Sequence, residues 1–237
     1  MDLFYALLII YFGALIQTAF GFGLAVVGAP LLILISHDYV PGPISVAALF
    51  QSLAMMMANR RSMNMRGLKL AFFTRIPGSL CGVVLLGLMS PQLLTLAVGV
   101  MVLLSVVASA VRFKIAVNST NYGIASFLSG LFGSSTSIGG PPMALLLQNE
   151  TAENIRANLG AYFAYGCVVS LVLLTLTGLF TWHHLALSLP LIPAALLGVA
   201  TAYWLPLYRI NHLMRPGILV LCSFAGIVAL LAGIMDW

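Results

Sequence analysis

The chain has 237 residues, of which 62% are hydrophobic and only 6% are charged, whereas a soluble domain carries about 25% charged residues. No water-soluble fold can bury so much apolar surface, so the composition predicts an all-α polytopic membrane protein without a separate soluble domain. The net charge of +5 does not indicate a nucleic-acid partner, because the basic residues lie between apolar runs, where membrane proteins carry them on the cytoplasmic side.

Ten apolar runs follow one another along the chain, and they predict eight to ten membrane segments. They cover approximately residues 3–20, 24–36, 42–58, 70–88, 93–111, 120–132, 140–148, 157–178, 184–205 and 216–235. The first run lacks the basic flank and cleavage site of a signal peptide, so we expect it to be retained. The second and seventh runs are too short to cross a membrane, and each follows a glycine-rich interruption.

The two glycine-rich interruptions are similar to each other. Phe20–Pro30, with the sequence FGFGLAVVGAP, aligns without gaps on Phe132–Pro142, with the sequence FGSSTSIGGPP, at an offset of 112 residues. A second match, at an offset of 116 residues, places Ile76–Val83 on Ile192–Val199. Internal duplication is common in transporters, so we predict two repeats, each with a glycine-broken helical hairpin and three transmembrane helices.

The loop charges indicate how the two predicted repeats, residues 1–114 and 115–237, are oriented. If each broken stretch crosses the membrane once, the halves are parallel. The basic residues inside are then Arg60, Arg61, Arg66, Lys69, Arg75, Arg112 and Lys114, and those outside are Arg156, Arg209 and Arg215. If each broken stretch is a hairpin that returns to its own face, the second half is inverted and all ten basic residues lie inside. The positive-inside rule favours this inverted arrangement, with both termini outside.

The broken stretches are also the candidate binding site. Glycine costs about 1 kcal/mol and proline about 3 kcal/mol relative to alanine in a helix, so the chain should unwind there. We expect Pro30 and the pair Pro141–Pro142 to restart short helices in their first turn, which directs free N–H groups inward, where they suit an anion. The predicted binding residues are Gly21, Phe22, Gly23, Ser134, Ser135, Thr136, Ser137, Gly139 and Gly140. In the second copy the four consecutive hydroxyl side chains are expected to add donors.

A competing interpretation is that these small residues only let helices approach closely. That interpretation is favoured for Gly78 and Gly82, which form a GxxxG pattern without polar chemistry. The three cysteines lie in apolar runs without metal-ligand spacing and are interpreted as packing residues. We therefore predict no metal and no cofactor.

Three polar residues within the apolar runs are weaker candidates. Gln51 lies near the middle of its run and either faces the cavity or bonds to a neighbouring helix, and Gln17 has the same two interpretations. Arg75 either extends to the membrane interface or contacts the substrate. The 116-residue offset places Leu191 opposite Arg75, so any role of this arginine is asymmetric. No Asp or Glu lies within a run, and no Walker-type phosphate loop is present.

The chain resembles the sulfite exporter TauE/SafE family, also called the 4-toluene sulfonate uptake permease family. The resemblance rests on Gly21–Gly23 leading to Pro30–Leu32, on the basic segment Asn59–Gly67, and on Ser129–Gly133 leading to Gly139–Pro142. It covers essentially the whole chain. Phe22 departs from the usual glycine-rich first motif, and the second motif is unusually rich in serine.

The resemblance implies transport of small sulfur-containing anions such as sulfite, sulfoacetate, thiosulfate or organosulfonates across a bacterial inner membrane. The expected partners are the anion and the lipid bilayer, with no nucleic acid, and a homodimer is left open. One alternative is an intramembrane serine protease, prompted by Gly133–Ser135, although it needs a general base and His183, His184 and His212 are expected in loops. The other alternative is a noncatalytic membrane scaffold.

Overall fold

The computed structural model describes residues 2–64, 68–110, 116–205 and 211–235, and the regular elements in these ranges are all helical, which confirms the all-α class. The first half contains α1 (Asp2–Phe20), α2 (Leu24–Ile33), α3 (Gly42–Ala58), α4 (Leu68–Leu88) and α5 (Pro91–Ala110). The second half contains α6 (Ser119–Thr136), α7 (Gly140–Leu147), α8 (Ala152–Leu176), α9 (Trp182–Ser188), α10 (Leu191–Trp204) and α11 (Asn211–Met235). The predicted inside residues Arg66, Arg112, Lys114 and Arg209 lie outside the described ranges, as does the side chain of Arg215.

Six helical stretches among the described residues are long and apolar enough to cross a membrane. They are Asp2–Phe20, His37–Ala58, Leu68–Leu88, Pro91–Ser109, Ala152–Leu176 and Trp182–Trp204. Large apolar side chains are exposed on these helices, among them Phe73 and Val84. Such a surface is stable only against lipid, so the protein is a multi-pass membrane protein. The predicted run over residues 184–205 is divided between α9 and α10 at Pro190.

The two halves interlock, because helices of one half pack along helices of the other. The main pairs are α4 with α6, α1 with α10, α3 with α8, and α5 with α11. Gly78 and Gly82 press against the backbone of Phe127 and Leu131, where a Cβ atom on either glycine would overlap a carbonyl oxygen. The prediction that this GxxxG pattern serves helix packing is therefore confirmed. Interlocking brings both broken stretches into one shared core.

Side-chain contacts show which loops lie at the same end of the bundle. The Ser62 hydroxyl, just after two of the predicted inside arginines, lies 3.3 Å from a Glu153 carboxylate oxygen at the start of α8. At the opposite end, the His183 Nε2 atom lies 3.4 Å from an Asp38 carboxylate oxygen. Glu153 and Arg156 both lie near the start of α8, so Ser62 and Arg156 lie at the same end of the bundle. A parallel arrangement would place them at opposite ends, and the geometry therefore favours the inverted arrangement. The membrane face of each end, and the division into two repeats, stay predictions.

Candidate functional site

The first broken stretch is the three-residue tip Gly21–Gly23, called here the first tip. Both glycines have positive φ angles, 91° at Gly21 and 139° at Gly23, a region that favours glycine. A Cβ atom on Gly13 would lie 3.1 Å from the Leu24 carbonyl oxygen, and one on Gly28 would lie 3.9 Å from Ile9. Helix α2 therefore runs back along α1, and the two form a helical hairpin.

The start of α2 presents backbone donors at the first tip. The first three N–H groups of a helix have no partner within it. One of them, on Leu24, donates to the Gln17 side-chain oxygen at 3.0 Å, and the first backbone bond within the helix region runs from Val27 to Gly23 at 3.0 Å. The N–H groups of Ala25 and Val26 come between these two, at the end of the helix that carries a partial positive charge.

The second broken stretch, Ser137–Gly139, is the second tip, and it lies one helical turn later than predicted. Helix α6 continues through Gly133 to Thr136, and Ser137 carries the left-handed φ of 66°. The ends of α1 and α6, and the starts of α2 and α7, coincide at an offset of 116 residues. The predicted 112-residue alignment is therefore wrong at this segment, because matching letters placed Gly133, a helical residue, on the non-helical Gly21.

The register error also explains why only one of the two proline predictions is correct. Pro141 and Pro142 lie in the first turn of α7, as expected, but Pro30 lies in the interior of α2, so its predicted role is wrong. Proline is tolerated inside membrane helices where neighbouring helices cover the released carbonyl groups. Since prolines have no N–H, the first three positions of α7 offer a single donor, on Gly140. The second tip is therefore poorer in backbone donors than the first.

Three of the predicted hydroxyl donors are turned away from the tip. The Ser135 and Thr136 hydroxyls each donate at 2.8 Å to carbonyl oxygens one turn earlier in α6, and the Ser134 hydroxyl lies 2.6 Å from that of Ser170. Such back-bonding to the preceding turn is the usual fate of serine and threonine inside a helix. Ser137 is free of the helix, and its hydroxyl donates to the Pro41 carbonyl oxygen at 3.2 Å.

Arg75 is buried between α4, α6 and α8, with 4% of its surface exposed. Its Nη1 atom donates to the Ser129 hydroxyl at 2.9 Å, and the guanidinium lies 4.7 Å from the centre of the Tyr162 ring. The Ser129 hydroxyl in turn donates to the Gly139 carbonyl oxygen at the second tip. The interpretation that Arg75 extends to the membrane interface is therefore wrong, since its charge points into the protein.

Two glycines make the space that the Arg75 guanidinium occupies. A Cβ atom on Gly133 would lie 3.0 Å from Nη2, and one on Gly166 would overlap the guanidinium carbon. Arg75 has no ion-pair partner among the described residues, and its Nε atom is buried without a hydrogen-bond acceptor. A buried charge without a partner costs several kcal/mol, so this arrangement leaves the guanidinium ready for an anion.

The glutamines form a polar cluster at the base of the first tip. The Gln17 amide nitrogen donates to the Gln51 side-chain oxygen, and the Gln51 amide nitrogen donates to the Thr18 hydroxyl at 3.3 Å. Gln51 is fully buried and bonds to a neighbouring helix, which was one of its two predicted roles. Gln17 reaches the space between the tips.

A cavity of about 50 Å³, called here the tip cavity, lies where the two tips meet. Six of the eleven predicted site residues line it: Phe22, Gly23, Arg75, Ser137, Gly139 and Gly140. The other five do not: Gly21, which packs on Ile155 and Leu159 of α8, and Gln51, Ser134, Ser135 and Thr136. Gln17, a weaker candidate from the sequence, also lines the tip cavity, as do three polar residues that the sequence did not single out for binding: Ser45, Cys167 and Ser170.

A pattern in α8 could have revealed part of this missed wall. Tyr162, Gly166 and Ser170 recur every four residues and so share one face of the helix. The first lies under the guanidinium, the second makes room for it, and the third lines the tip cavity. An aromatic, a glycine and a serine on one face of an apolar helix indicate a wall that packs against something other than lipid.

Among the described side chains, Ser135 is not paired with a general base. The Ser135 hydroxyl donates to the Leu131 carbonyl oxygen, whereas a nucleophile needs a general base within hydrogen-bond reach. His183 and His184 lie in the first turn of α9 rather than in a loop, and they contact Asp38 and Thr181. The side chain of His212 lies outside the described residues.

A family model described as Sulfite exporter TauE/SafE matches residues 6–229, nearly the whole chain. No curated protein and no solved structure matches the chain.

Proposed function

Because the chain belongs to the sulfite exporter TauE/SafE family, we propose that it transports small sulfur-containing anions and binds them in the tip cavity against Arg75. The carrying observation is the buried Arg75 guanidinium, which has no carboxylate partner among the described residues. Charged residues inside membrane proteins mark substrate pathways, and a guanidinium fork matches the oxygens of an oxyanion. An anion supplies the opposite charge that the protein itself does not.

Further donors around the tip cavity complement the same anion. The N–H groups of Ala25 and Val26 at the start of α2 suit negative charge, and the Ser170 hydroxyl can donate to an anion while it accepts from Ser134. Arg75 of α4 supplies the positive charge, and the start of α2 supplies neutral N–H donors. This arrangement favours a compact anion with oxygens on several faces.

The size of the tip cavity favours the smaller members of the predicted substrate class. A volume of about 50 Å³ is a few times the roughly 10–15 Å³ that a cavity needs in order to hold one water molecule. Sulfite and thiosulfate are compact, whereas sulfoacetate and organosulfonates carry additional carbon atoms. We rank sulfite and thiosulfate above the organosulfonates for the conformation described here.

We further propose that transport occurs by alternating access between the two repeats, in a bacterial inner membrane. Each repeat contributes one tip, so relative movement of the repeats would open the tip cavity to either side in turn. A homodimer is compatible with this scheme but is not required by it, because the tip cavity is built from one chain.

The test is flux of labelled sulfite and thiosulfate in vesicles reconstituted with the purified protein. Arg75→Gln is expected to reduce flux about 100-fold, because losing one partner of a buried charge pair costs about 2–5 kcal/mol. Arg75→Lys should keep part of the flux, since it retains the charge. Lys69→Gln, an exposed position in the same helix, is the matched control and should transport normally.

Binding is measured separately from flux by the rise in melting temperature that the anion causes. Sulfite should raise the melting temperature of the wild-type protein and of Lys69→Gln, but not that of Arg75→Gln. Full flux and a full melting shift in Arg75→Gln would overturn the assignment of Arg75. No flux of any small sulfur anion in the wild-type protein would overturn the proposed function.

A further inference from the structure

The tip cavity adjoins a second, larger cavity, and the Phe22 side chain lines both. This second cavity, called here the vestibule, has a volume of about 410 Å³ and lies between α1, α2, α5, α7, α8 and α11. Phe22, Gly23 and Val26 line both cavities, and Phe22 is the only one of the three with a large side chain. The aromatic ring is therefore the largest side chain at the boundary of the two cavities.

The backbone around Phe22 is conformationally permissive. Phe22 is the middle residue of the first tip, outside both helices, and the glycines on either side of it have positive φ angles. Glycine has the widest choice of backbone conformation, so this segment can change direction without unwinding α1 or α2. The Phe22 ring is half-buried and packs against both hydrophobic cores of the protein.

The closed position of the ring depends on a glycine of the opposite half. A Cβ atom on Gly140, at the start of α7, would lie 3.2 Å from the Phe22 Cβ atom and 3.5 Å from its ring. The ring thus rests on the one position of α7 that has no side chain. Contact between the two hairpins fixes the position of the Phe22 ring, so movement of one hairpin against the other would displace the ring.

The vestibule lies toward the end of the bundle that carries Ser62 and Glu153. Ile155 at the start of α8 and Gln148 at the end of α7 line it, and Ser109 near the end of α5 lines it as well. This is the end where the inverted arrangement places the cytoplasm. In that arrangement the vestibule lies on the cytoplasmic side of Phe22.

We infer that Phe22 is the barrier between the vestibule and the tip cavity and that it sets the largest anion the site accepts. This inference rests on the proposed function for its transport readout. With the ring in place, a bound anion must fit the tip cavity alone. Without the ring, an anion with a larger organic group can keep its sulfonate on Arg75 and extend its apolar part into the mainly apolar vestibule.

The barrier is tested first by the reactivity of Cys167, which lines the tip cavity but not the vestibule. In a variant with Cys81→Ser and Cys222→Ala, Cys167 is the remaining thiol, and mass spectrometry follows its modification by sulfonatoethyl methanethiosulfonate. Phe22→Ala should speed the modification about tenfold or more, because a gate that opens in a minor state admits the reagent about 10% of the time or less. Phe20→Ala is the matched control, since Phe20 lines the vestibule alone.

A second variant combines Ser109→Cys with Cys81→Ser, Cys222→Ala and Cys167→Ala, so that its one thiol lies in the vestibule. It shows whether the reagent reaches the vestibule while the barrier is intact. Its thiol should be modified at the same rate with and without the Phe22→Ala substitution, because Ser109 lies outside the barrier. Equal modification of Cys167 in the wild-type, Phe22→Ala and Phe20→Ala backgrounds would overturn the inference. So would an increase in Phe20→Ala as large as that in Phe22→Ala.

The second readout is selectivity between sulfite and benzenesulfonate, measured by melting shift and by flux. Phe22→Ala should raise the preference for benzenesulfonate over sulfite about tenfold or more, the size of effect expected when an apolar pocket changes volume. An unchanged preference would overturn the role of Phe22 in selectivity. If neither anion binds to the wild-type protein while Cys167 still becomes reactive in Phe22→Ala, the proposed function fails and the barrier stands.

Discussion

The two hairpin tips have the same backbone plan but different chemistry. The first tip has glycines at both of its positive-φ positions, and its helix start is capped by the Gln17 amide. The second tip has Ser137 in the left-handed region, and its Gly139 carbonyl is bonded through Ser129 to Arg75. One tip therefore presents backbone donors, and the other is coupled to a full positive charge.

The neighbouring helices explain why the charge appears on one side only. At the 116-residue offset, Gly166 corresponds to Phe50 and Arg75 corresponds to Leu191, which is fully buried. The position that corresponds to Gly166 thus carries an aromatic ring, with 40% of Phe50 exposed, and the position that corresponds to Arg75 carries an apolar side chain. A small anion has one centre of charge, so one buried cation opposed by neutral donors suffices, and a second would add an uncompensated charge.

The largest expected effect comes from closing the space that distinguishes the second half. Gly166→Ala places a methyl group where the Arg75 guanidinium lies, so the charge must move while its residue is retained. Sulfite flux should fall about 100-fold, as displacement of about 1 Å in a binding group can cost that much. Gly87→Ala is the control, because a Cβ atom there would have no neighbour within 4 Å. Wild-type flux in Gly166→Ala would show that the site does not depend on the position of Arg75.

An intermediate effect is expected from removing the cap of the first tip. Gln17→Leu takes away the acceptor of the Leu24 N–H and the partner of Gln51, and should reduce the free energy of unfolding by about 1–2 kcal/mol. Thermal and denaturant unfolding in detergent measure this loss. Because both residues belong to one network, adding Gln51→Leu should cost less than the two single losses added together. Strict additivity would indicate that the two glutamines act independently.

The smallest effect concerns the left-handed residue of the second tip. At Ser137 both Gly and Ala lose the hydrogen bond to Pro41, but Gly accepts the φ of 66° more readily, so Ser137→Gly should be the more stable by about 1 kcal/mol. At Ser135, inside α6, the order should reverse by about 1 kcal/mol, because glycine weakens a helix interior. Melting temperatures of the four variants measure both differences. The same order at both positions would contradict the assigned end of α6.

Much of the general plan could be predicted from the residues themselves. The apolar composition requires a membrane environment, and two closely spaced glycines each cost about 1 kcal/mol in a helix, so local physics indicates the fold class and favours the break at Gly21–Gly23. The register of the second half could not be predicted in this way. Gly133, Ser134 and Ser135 are weak helix formers but remain helical, because packing on α4 and hydroxyl bonds to the preceding turn hold them.

What the sequence by itself determined was therefore the set of available groups: one arginine in a long apolar run, two glycine-broken stretches and no carboxylate within any run. The tertiary structure decided which of these groups meet. Arg75 turns inward because Gly133 and Gly166, from two helices of the other half, leave it a space. Such a space requires glycines at positions far apart in the chain, and only the packing of the helices against each other brings those glycines together.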